Sequence, residues 1–327
     1  MSAQGPVWIS GGTGLVGSRL VRALRAGERP VRIASRRPDR VRTGPGVSAV
    51  GWDGLRVEPA ALAGAAAAVH LAGEPLFGLP SAERLARVRR SRIESTQSLV
   101  GALAALDPAE RPRVLVCASA VGYYGDRGEE LLDESSPPGN GFLPELCRDW
   151  EEAAARAGES DVRVVSVRIG VVLAREGGAL GMLAPLFRLG LGGSVGGGRQ
   201  WFPWVHADDL VALIGRALDD DALAGPVNGV SPRPVRNAEF TSALAAVLRR
   251  PALLPVPGFV LRLALGDVAG ELLDSRRVNP ARALAADFSF AHPDVSEALA
   301  TELRRGRNRG DAGGRPDRRD AGRESGS

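Results

Sequence analysis

Three glycines near the start of the chain constrain its fold more than any other feature. Gly11, Gly14 and Gly17 follow a short apolar run at residues 7–9 and open an amphipathic helical pattern at residues 14–26. A strand-to-helix turn with this spacing exposes backbone N–H groups, and the missing side chains let a pyrophosphate approach them. The turn therefore predicts a dinucleotide site; the alternative is a tight structural turn. The predicted contacts are Gly11, Gly12, Thr13, Gly14, Leu15, Val16 and Gly17.

Strand and helix patterns alternate along the first half of the chain. Apolar runs predict strands at residues 7–9, 31–34, 48–52, 66–71, 114–118 and 162–168, and helical periodicity predicts helices at 14–26, 81–106 and 143–157. This alternation is typical of an α/β fold with a doubly wound parallel sheet, the Rossmann type. We therefore predict a dinucleotide-binding Rossmann domain at residues 5–170.

After residue 170 the pattern loosens into glycine and proline clusters. Helices are predicted at residues 208–218, 238–248 and 259–273. We interpret residues 171–303 as a smaller C-terminal substrate lobe that also returns strands to the sheet. Residues 304–327 contain eight Arg and four acidic residues, which accounts for the whole net charge of +4. This segment lacks apolar periodicity, so it is predicted to be a disordered tail.

The end of the second predicted strand indicates which nicotinamide dinucleotide binds. An NAD site typically places an acidic residue there, where it accepts a hydrogen bond from the ribose 2′-hydroxyl. This chain has Ser35, Arg36 and Arg37 instead. A guanidinium pairs well with a 2′-phosphate, so the sequence favours NADP(H), with Arg36 as the main contact; the alternative is two solvated arginines.

Small residues end the fourth predicted strand. Leu71, Ala72 and Gly73 would let the cofactor lie across the strand end, so they are predicted cofactor contacts. His70 lies within the same apolar run, and a structural role for it is favoured over a catalytic one. His206 is interpreted as either catalytic or structural, and Asp208 and Asp209 are expected to cap the helix that follows or to have another structural role.

Composition excludes several classes of protein. The chain is 44% apolar and has no apolar run of the length that a membrane helix needs. Its start lacks a secretory signal pattern, and it contains two cysteines, so we expect a cytoplasmic protein. Acidic and basic residues balance outside the tail. The expected partner is therefore a small-molecule substrate, with no nucleic acid and no membrane, and the apolar segment 259–273 is either a lobe core or a homodimer face.

The motifs together resemble one family. The chain looks like an atypical extended short-chain dehydrogenase/reductase, a relative of the nucleoside-diphosphate-sugar epimerases with a distinct C-terminal domain. The resemblance covers residues 5–300 and is carried by residues 91–96 (SRIEST), 117–125 (CASAVGYYG), 147–151 (CRDWE), 168–173 (RIGVVL), 201–206 (WFPWVH), 228–232 (NGVSP) and 277–280 (RVNP). It implies NADP(H) as the cofactor, with Arg92 as a further contact, and a substrate site bounded by residues 201–206.

One departure from the superfamily concerns its catalytic pair. Ordinary members use a Tyr-x-x-x-Lys pair with an upstream serine. This chain has no lysine, and we align Leu146 and Trp150 with the Tyr and Lys positions. Ser119 matches the serine, and Tyr123 and Tyr124 are candidate proton donors or pocket walls. No metal ligand set is predicted.

Two functions follow from this pattern. The first is an NADP(H)-dependent oxidoreductase or epimerase-like enzyme acting on a small polar or nucleotide-sugar-like metabolite, with plain carbonyl reduction as the mechanistic alternative. The second is a non-catalytic NADP(H)-binding sensor or scaffold.

Overall fold

A seven-stranded parallel sheet forms the centre of the part of the chain that the computed structural model describes, residues 5–76, 78 and 81–304. The strands are β1 Val7–Ser10, β2 Val31–Ser35, β3 Val47–Gly51, β4 Ala67–His70, β5 Val114–Ala120, β6 Leu131–Leu132, β7 Arg163–Ile169, β8 Val171–Ala174, β9 Trp201–Phe202, β10 Trp204–His206, β11 Gly225–Gly229, β12 Val235–Arg236 and β13 Arg277–Val278. The sheet has the order β11-β7-β5-β4-β1-β2-β3, and β8 with β10, β9 with β12 and β6 with β13 form short pairs. The predicted doubly wound α/β fold is confirmed.

Eleven α-helices lie in the described residues. They are α1 Leu15–Ala26, α2 Pro59–Leu62, α3 Ala82–Ala104, α4 Phe142–Ala155, α5 Gly178–Arg188, α6 Ala207–Asp219, α7 Asn237–Leu248, α8 Gly258–Leu265, α9 Gly270–Leu273, α10 Ala281–Ala285 and α11 Val295–Arg304. Short 3₁₀ turns occupy Pro38–Arg40, Val121–Tyr124, Arg156–Ser160 and Gly266–Ala269. No described helix has both the length and the apolarity that a membrane crossing requires.

Side chains of the central strands alternate between two cores, because successive residues of a strand face opposite sides of the sheet. Val7 and Ile9 of β1 pack into the cluster that also contains residues of α1 and α6. Trp8 faces the other way, into the cluster that contains residues of α3 and α4. Burial on both faces is why these strands read as continuous apolar runs.

The strand order creates a cleft beside β1. The chain runs from β1 outwards through β2 to β3, and then from β4 outwards through β5 and β7 in the opposite direction. In open α/β sheets, ligands bind at such a switch point, outside the carboxyl ends of the strands. Ser10, Ser35, His70 and Ala120 end their strands at this edge.

The C-terminal lobe has a core of its own, formed by side chains such as Phe187, Phe202 and Phe240. Its segment β11 joins the central sheet beside β7. Two predicted boundaries need correction. The helix predicted at residues 259–273 is interrupted at Gly266, whose φ of 57° ends α8. Helix α11 continues through Arg304, where the tail was predicted to begin, and the rest of the predicted tail lies outside the described residues.

A buried ion pair attaches α11 to the Rossmann half. Arg19 of α1 donates to both carboxylate oxygens of Glu302 at 2.9 Å. Burial alone would raise the pKa of Glu302, but hydrogen bonds from His206, Arg19 and the backbone of Arg175 hold it well below its usual range. The sequence analysis did not predict this pair.

Candidate active site

The glycine turn at residues 11–17 is closed by its own backbone. The N–H of Gly14 donates to the carbonyl of Gly11 at 2.9 Å. A Cβ on Gly17 would lie 2.1 Å from that carbonyl oxygen, and one on Gly11, whose φ is +69°, would lie 2.9 Å from the backbone nitrogen of Ala72. Only glycine fits at these two positions, so the turn keeps its backbone next to the adjacent strand end.

A cavity of about 910 Å³ opens in front of this turn. Nine of the predicted cofactor residues line it: Gly11, Thr13, Gly14, Ser35, Arg36, Arg37, Leu71, Ala72 and Gly73. The wall also contains residues that the sequence analysis missed, namely Ala34, Arg40, Val41, Trp52, Gly54, Glu74, Pro75 and Ser91. No sequence signal marked most of these residues, because they come from loops that only the strand order brings together.

The other five predicted cofactor residues are not in this wall. Gly12 is buried, and a Cβ there would meet Ile33 at 3.0 Å. Val16 packs against the apolar core, Leu15 faces the glycines that precede and begin α5, and Gly17 packs inside the turn itself.

Arg92, the fifth, supports the strand-end loop. It donates to the carbonyl oxygens of Glu74 at 3.0 Å and Val88 at 3.2 Å, with its guanidinium 5.3 Å from the centre of the Trp150 ring. Burial lowers the pKa of Arg92. A Cβ on Gly73 would lie 3.3 Å from the guanidinium carbon, so Arg92 lies directly behind the cavity wall.

Three exposed guanidinium groups surround the far end of the cavity. Arg36, Arg37 and Arg40 all line it and are all exposed. The backbone N–H of Arg37 donates to Ser35 Oγ at 3.1 Å, which fixes the turn after β2. Exposed cations around one end of a cavity favour an anionic group there.

His70 is a structural histidine. Its ring is completely buried, with Nδ1 2.6 Å from Ser10 Oγ and Nε2 3.0 Å from Ser95 Oγ. Because the Ser95 hydroxyl donates to the carbonyl of Ser91 at 2.6 Å, Nε2 carries the proton and Ser10 donates to Nδ1. Burial lowers the pKa of His70 to about 4. The neutral ring therefore connects β1, β4 and α3.

Ser119 is the penultimate residue of the central strand β5 and belongs to a buried network. Its hydroxyl donates to Glu151 Oε1 at 2.6 Å. Arg168 of β7 binds both oxygens of the same carboxylate at 2.8 Å. Burial alone would lower the pKa of Arg168, but the hydrogen bonds and the charge of Glu151 raise it above its usual value. The sequence analysis named Ser119 and missed both Glu151 and Arg168 as its partners.

The two predicted tyrosines have different environments. Tyr124 is fully buried, and its hydroxyl donates to Asn228 at 2.7 Å and accepts from Arg168 at 2.9 Å. Burial raises the pKa of Tyr124 to about 12. Tyr124 therefore anchors Arg168, and the proton of its hydroxyl is engaged in the bond to Asn228. Tyr123 is half-buried, with its ring 3.5 Å from the Arg168 guanidinium.

The register of α4 also differs from the one read in the sequence. Leu146 is buried, and Trp150 packs in the core with its indole N–H donating to Thr96 at 3.0 Å. The pair that faces the end of β5 lies one residue further along the helix, at Cys147 and Glu151. This pair has the same four-residue spacing, and Glu151 is the member that reaches Ser119.

Most of the segment at residues 201–206, which the family resemblance assigns to the substrate site, is buried. Phe202 and Trp204 are in the lobe core, and only Trp201 is partly exposed. The Trp201 indole donates to Glu129 at 3.0 Å, and the guanidinium groups of Arg236 and Arg277 lie 4.5 and 4.8 Å from its ring.

His206 is fully buried and caps α6, since its Nδ1 accepts from the N–H of Asp208 at 3.2 Å. Asp209 does not cap the helix but has a structural role, since its carboxylate accepts hydrogen bonds from the backbone N–H groups of residues 291 and 292. His206, Asp208 and His292 offer ligand atoms within 4.8 Å of one another, but the Arg19 guanidinium already lies 2.8 Å from the Asp208 carboxylate.

Comparison with known proteins identifies the family. The model of the NAD dependent epimerase/dehydratase family matches residues 7–228. The chain belongs to this family. A domain of unknown function (DUF1731) matches residues 256–302, which agrees with the predicted distinct C-terminal domain.

Individual relatives cover most of the chain. The epimerase family protein SDR39U1 homolog, chloroplastic, of Arabidopsis thaliana is 41% identical over 303 residues, which is 91% of this chain and 86% of the relative. Human epimerase family protein SDR39U1 (isoform 2), solved with NADPH, is 36% identical with a TM-score of 0.83 and covers 91% of this chain and 99% of its own. The nucleoside-diphosphate sugar epimerase of Corynebacterium glutamicum is also 36% identical, with a TM-score of 0.74, over 91% of this chain and 58% of its own.

Proposed function

We propose that this protein is an NADP(H)-dependent oxidoreductase of the epimerase type that acts on a small polar or nucleotide-sugar-like metabolite. The observation that carries the proposal is that the cavity at the glycine turn and Ser119 lie at the same carboxyl edge of the sheet. The human relative that was solved with NADPH supports the choice of cofactor.

The residues of the cavity fit NADP(H). The glycine turn leaves room for a pyrophosphate, because a side chain at Gly11 or Gly17 would fill the space that the backbone occupies. Arg36, with Arg37 and Arg40 beside it, would hold the 2′-phosphate at the end of β2. When bound, the cofactor supplies or accepts a hydride.

Ser119 would hold the reacting oxygen of the substrate. The Glu151 carboxylate already receives two hydrogen bonds from Arg168, so the Ser119 hydroxyl adds a third bond to a group that is already paired. Because the Glu151 carboxylate is charged, the Ser119 hydrogen bond contributes about 1.5–3 kcal/mol. A substrate carbonyl that accepts from the Ser119 hydroxyl would have to offset this loss, while Glu151 keeps its two bonds from Arg168. Glu151 and Arg168 are therefore positioning residues for Ser119.

Two features support a sugar-like or nucleotide-like substrate. The relative from Corynebacterium glutamicum is named a nucleoside-diphosphate sugar epimerase. In this chain, the guanidinium groups of Arg236 and Arg277 lie 4.5 and 4.8 Å from the ring of the partly exposed Trp201, and these cations suit a ligand that carries an anionic group. Buried Cys117 and Cys147 are both free thiols, which is compatible with the cytoplasmic location that we propose.

Turnover with bound cofactor tests the proposal. The purified protein should oxidise NADPH when carbonyl probes such as aromatic 1,2-diketones and 4-keto sugars are added. Ser119→Ala should lower kcat by about 100-fold, and Ser242→Ala, an exposed serine of α7, should change nothing. Saturable NADPH binding without turnover of any probe would favour the non-catalytic sensor instead.

A further inference from the structure

Three titratable side chains near Ser119 are poorly suited to supply the proton that this chemistry needs. Protonating Glu151 would leave Arg168 buried without its counter-charge, which is strongly unfavourable. The Tyr124 hydroxyl is committed to Asn228. Burial raises the pKa of Cys147 to about 12, so its thiol does not ionise near neutral pH.

A carboxyl group from the C-terminal region, that of Glu271, lies close to the end of β5. A Cβ on Gly122, three residues beyond Ser119, would lie 3.4 Å from Glu271 Oε2 and 3.8 Å from Cys147 Sγ. Cys147 is one helical turn before Glu151 on α4 and therefore on the same face of that helix. Glu271, on α9, and Cys147, on α4, therefore lie beside the same glycine, close to the end of β5.

The environment of Glu271 favours its neutral form. Its side chain is 14% exposed, and its cationic partner, Arg276, lies at 3.4 Å. Arg276 makes a shorter contact of 2.7 Å with Asp274 and also donates to the carbonyl oxygens of Gly125 and Gly270. The buried Arg276 guanidinium is therefore shared between the carboxyl groups of Glu271 and Asp274. Burial raises the pKa of Glu271, although the charge of Arg276 acts to lower it.

We propose that Glu271 is the proton donor of this site and replaces the tyrosine of ordinary family members. The inference rests on the proposed function. In the reduction step, a hydride from NADPH forms the new C–H bond at the carbonyl carbon, and the electron pair of the C=O π bond moves to oxygen. That oxygen takes the proton of the Glu271 carboxyl group. The resulting carboxylate faces Arg276 and regains its proton from solvent.

The same residue acts in both directions, as reversibility requires. Reduction uses the protonated form of Glu271, and oxidation of an alcohol needs the ionised form. The titratable or charged groups that face Glu271 are Arg276 and Asp274 from its own segment and Cys147 from α4. Reduction should therefore slow as the pH rises and Glu271 loses its proton.

The first experiment compares two glutamate-to-glutamine variants with the wild type. Glu271→Gln should lower kcat for NADPH oxidation with a 1,2-diketone probe by at least about 100-fold, the usual contribution of a general acid. Its Kd for NADPH should stay within about two-fold of the wild-type value, because Arg36 and the glycine turn lie elsewhere in the site. The matched control is Glu152→Gln, whose side chain is 70% exposed on α4; it should retain full activity.

Two further readouts separate proton donation from a structural role. Formate added to Glu271→Ala should restore part of the lost rate, because a small carboxylic acid can occupy the emptied space. Infrared spectra of the cofactor-free protein should show a neutral carboxylic acid band that is absent from Glu271→Gln and present in Glu152→Gln. A variant that is merely unfolded would show a lowered Tm and no rescue by formate.

The possible outcomes test the role of Glu271 separately from the proposed function on which it rests. Wild-type protein that binds NADPH and reduces no carbonyl probe would overturn the proposed function, and the inference with it. Wild-type turnover together with full activity in Glu271→Gln would overturn the role of Glu271 alone. Lost activity without formate rescue and without a change in the infrared band would also overturn it.

Discussion

The two halves of the candidate site are built in different ways. The cofactor half is made by one short stretch, residues 11–17, together with the ends of the neighbouring strands, and its contacts are largely backbone groups and exposed arginines. The half around Ser119 is made by buried side chains from separate elements, namely Glu151 of α4, Arg168 of β7 and Asn228 of β11.

This difference indicates where each half is vulnerable. Replacing a glycine of the turn introduces a steric conflict that disrupts the backbone site for the cofactor. Replacing an exposed arginine removes a cofactor contact but leaves the fold intact. A buried charged network couples function to stability, because removing one member leaves another unpaired. The three predictions that follow test this contrast.

The largest effect is expected in the Ser119 half. Arg168→Met leaves the Glu151 carboxylate buried without its partner, so the free energy of unfolding should fall by about 3–5 kcal/mol. Urea unfolding measures this change. Changing both residues, Arg168→Met with Glu151→Met, should recover most of the loss. If the double variant were as unstable as the sum of the two single ones, the two side chains would not be coupled.

The next largest effect is the pH dependence of stability that buried His70 causes in the cofactor half. The pKa of His70 is about 4 in the folded protein and 6.5 in the unfolded chain. Between these values the unfolded chain binds a proton that the folded protein does not, so stability is complete above pH 6.5 and falls as the pH is lowered towards 4. The loss should reach about 3 kcal/mol.

Comparison with His70→Gln isolates this contribution, because both proteins share every other titrating group. Unfolding free energies measured from pH 7 to pH 4 should fall more steeply for the wild type. Parallel curves for the two proteins would show that His70 titrates alike in both states.

The smallest effect is expected at the exposed end of the cavity. Arg36→Ala should weaken NADPH binding by about 1.5–3 kcal/mol, roughly 10- to 150-fold, because a charged hydrogen bond to the 2′-phosphate is lost. NADH binding and stability should change little. Titration calorimetry with both cofactors measures this, with exposed Arg42→Ala as the control. Equal losses for NADPH and NADH would place Arg36 away from the 2′-phosphate.

The sequence alone determined the parts of the site whose physics is local. The Gly11-x-x-Gly14-x-x-Gly17 spacing predicted the turn, because steric exclusion at a strand-to-helix bend involves residues a few positions apart. Alternating apolar patterns predicted the parallel sheet and therefore the edge where ligands bind. Arg36 was identified because it directly follows a recognisable strand, and Ser119 because its segment resembles the serine motif of the family.

Only the tertiary structure decided which side chains surround Ser119. A shift of one residue along α4 moves the pair facing β5 from Leu146 and Trp150 to Cys147 and Glu151, and helical periodicity is too coarse to resolve that rotation. In the sequence, Arg168 looks like an ordinary strand residue and Glu271 like part of an apolar helix. Only the folded structure shows that both lie beside the end of β5. Sequence separation carries no distance information, so burial, charge pairing and protonation were fixed when these distant segments packed together.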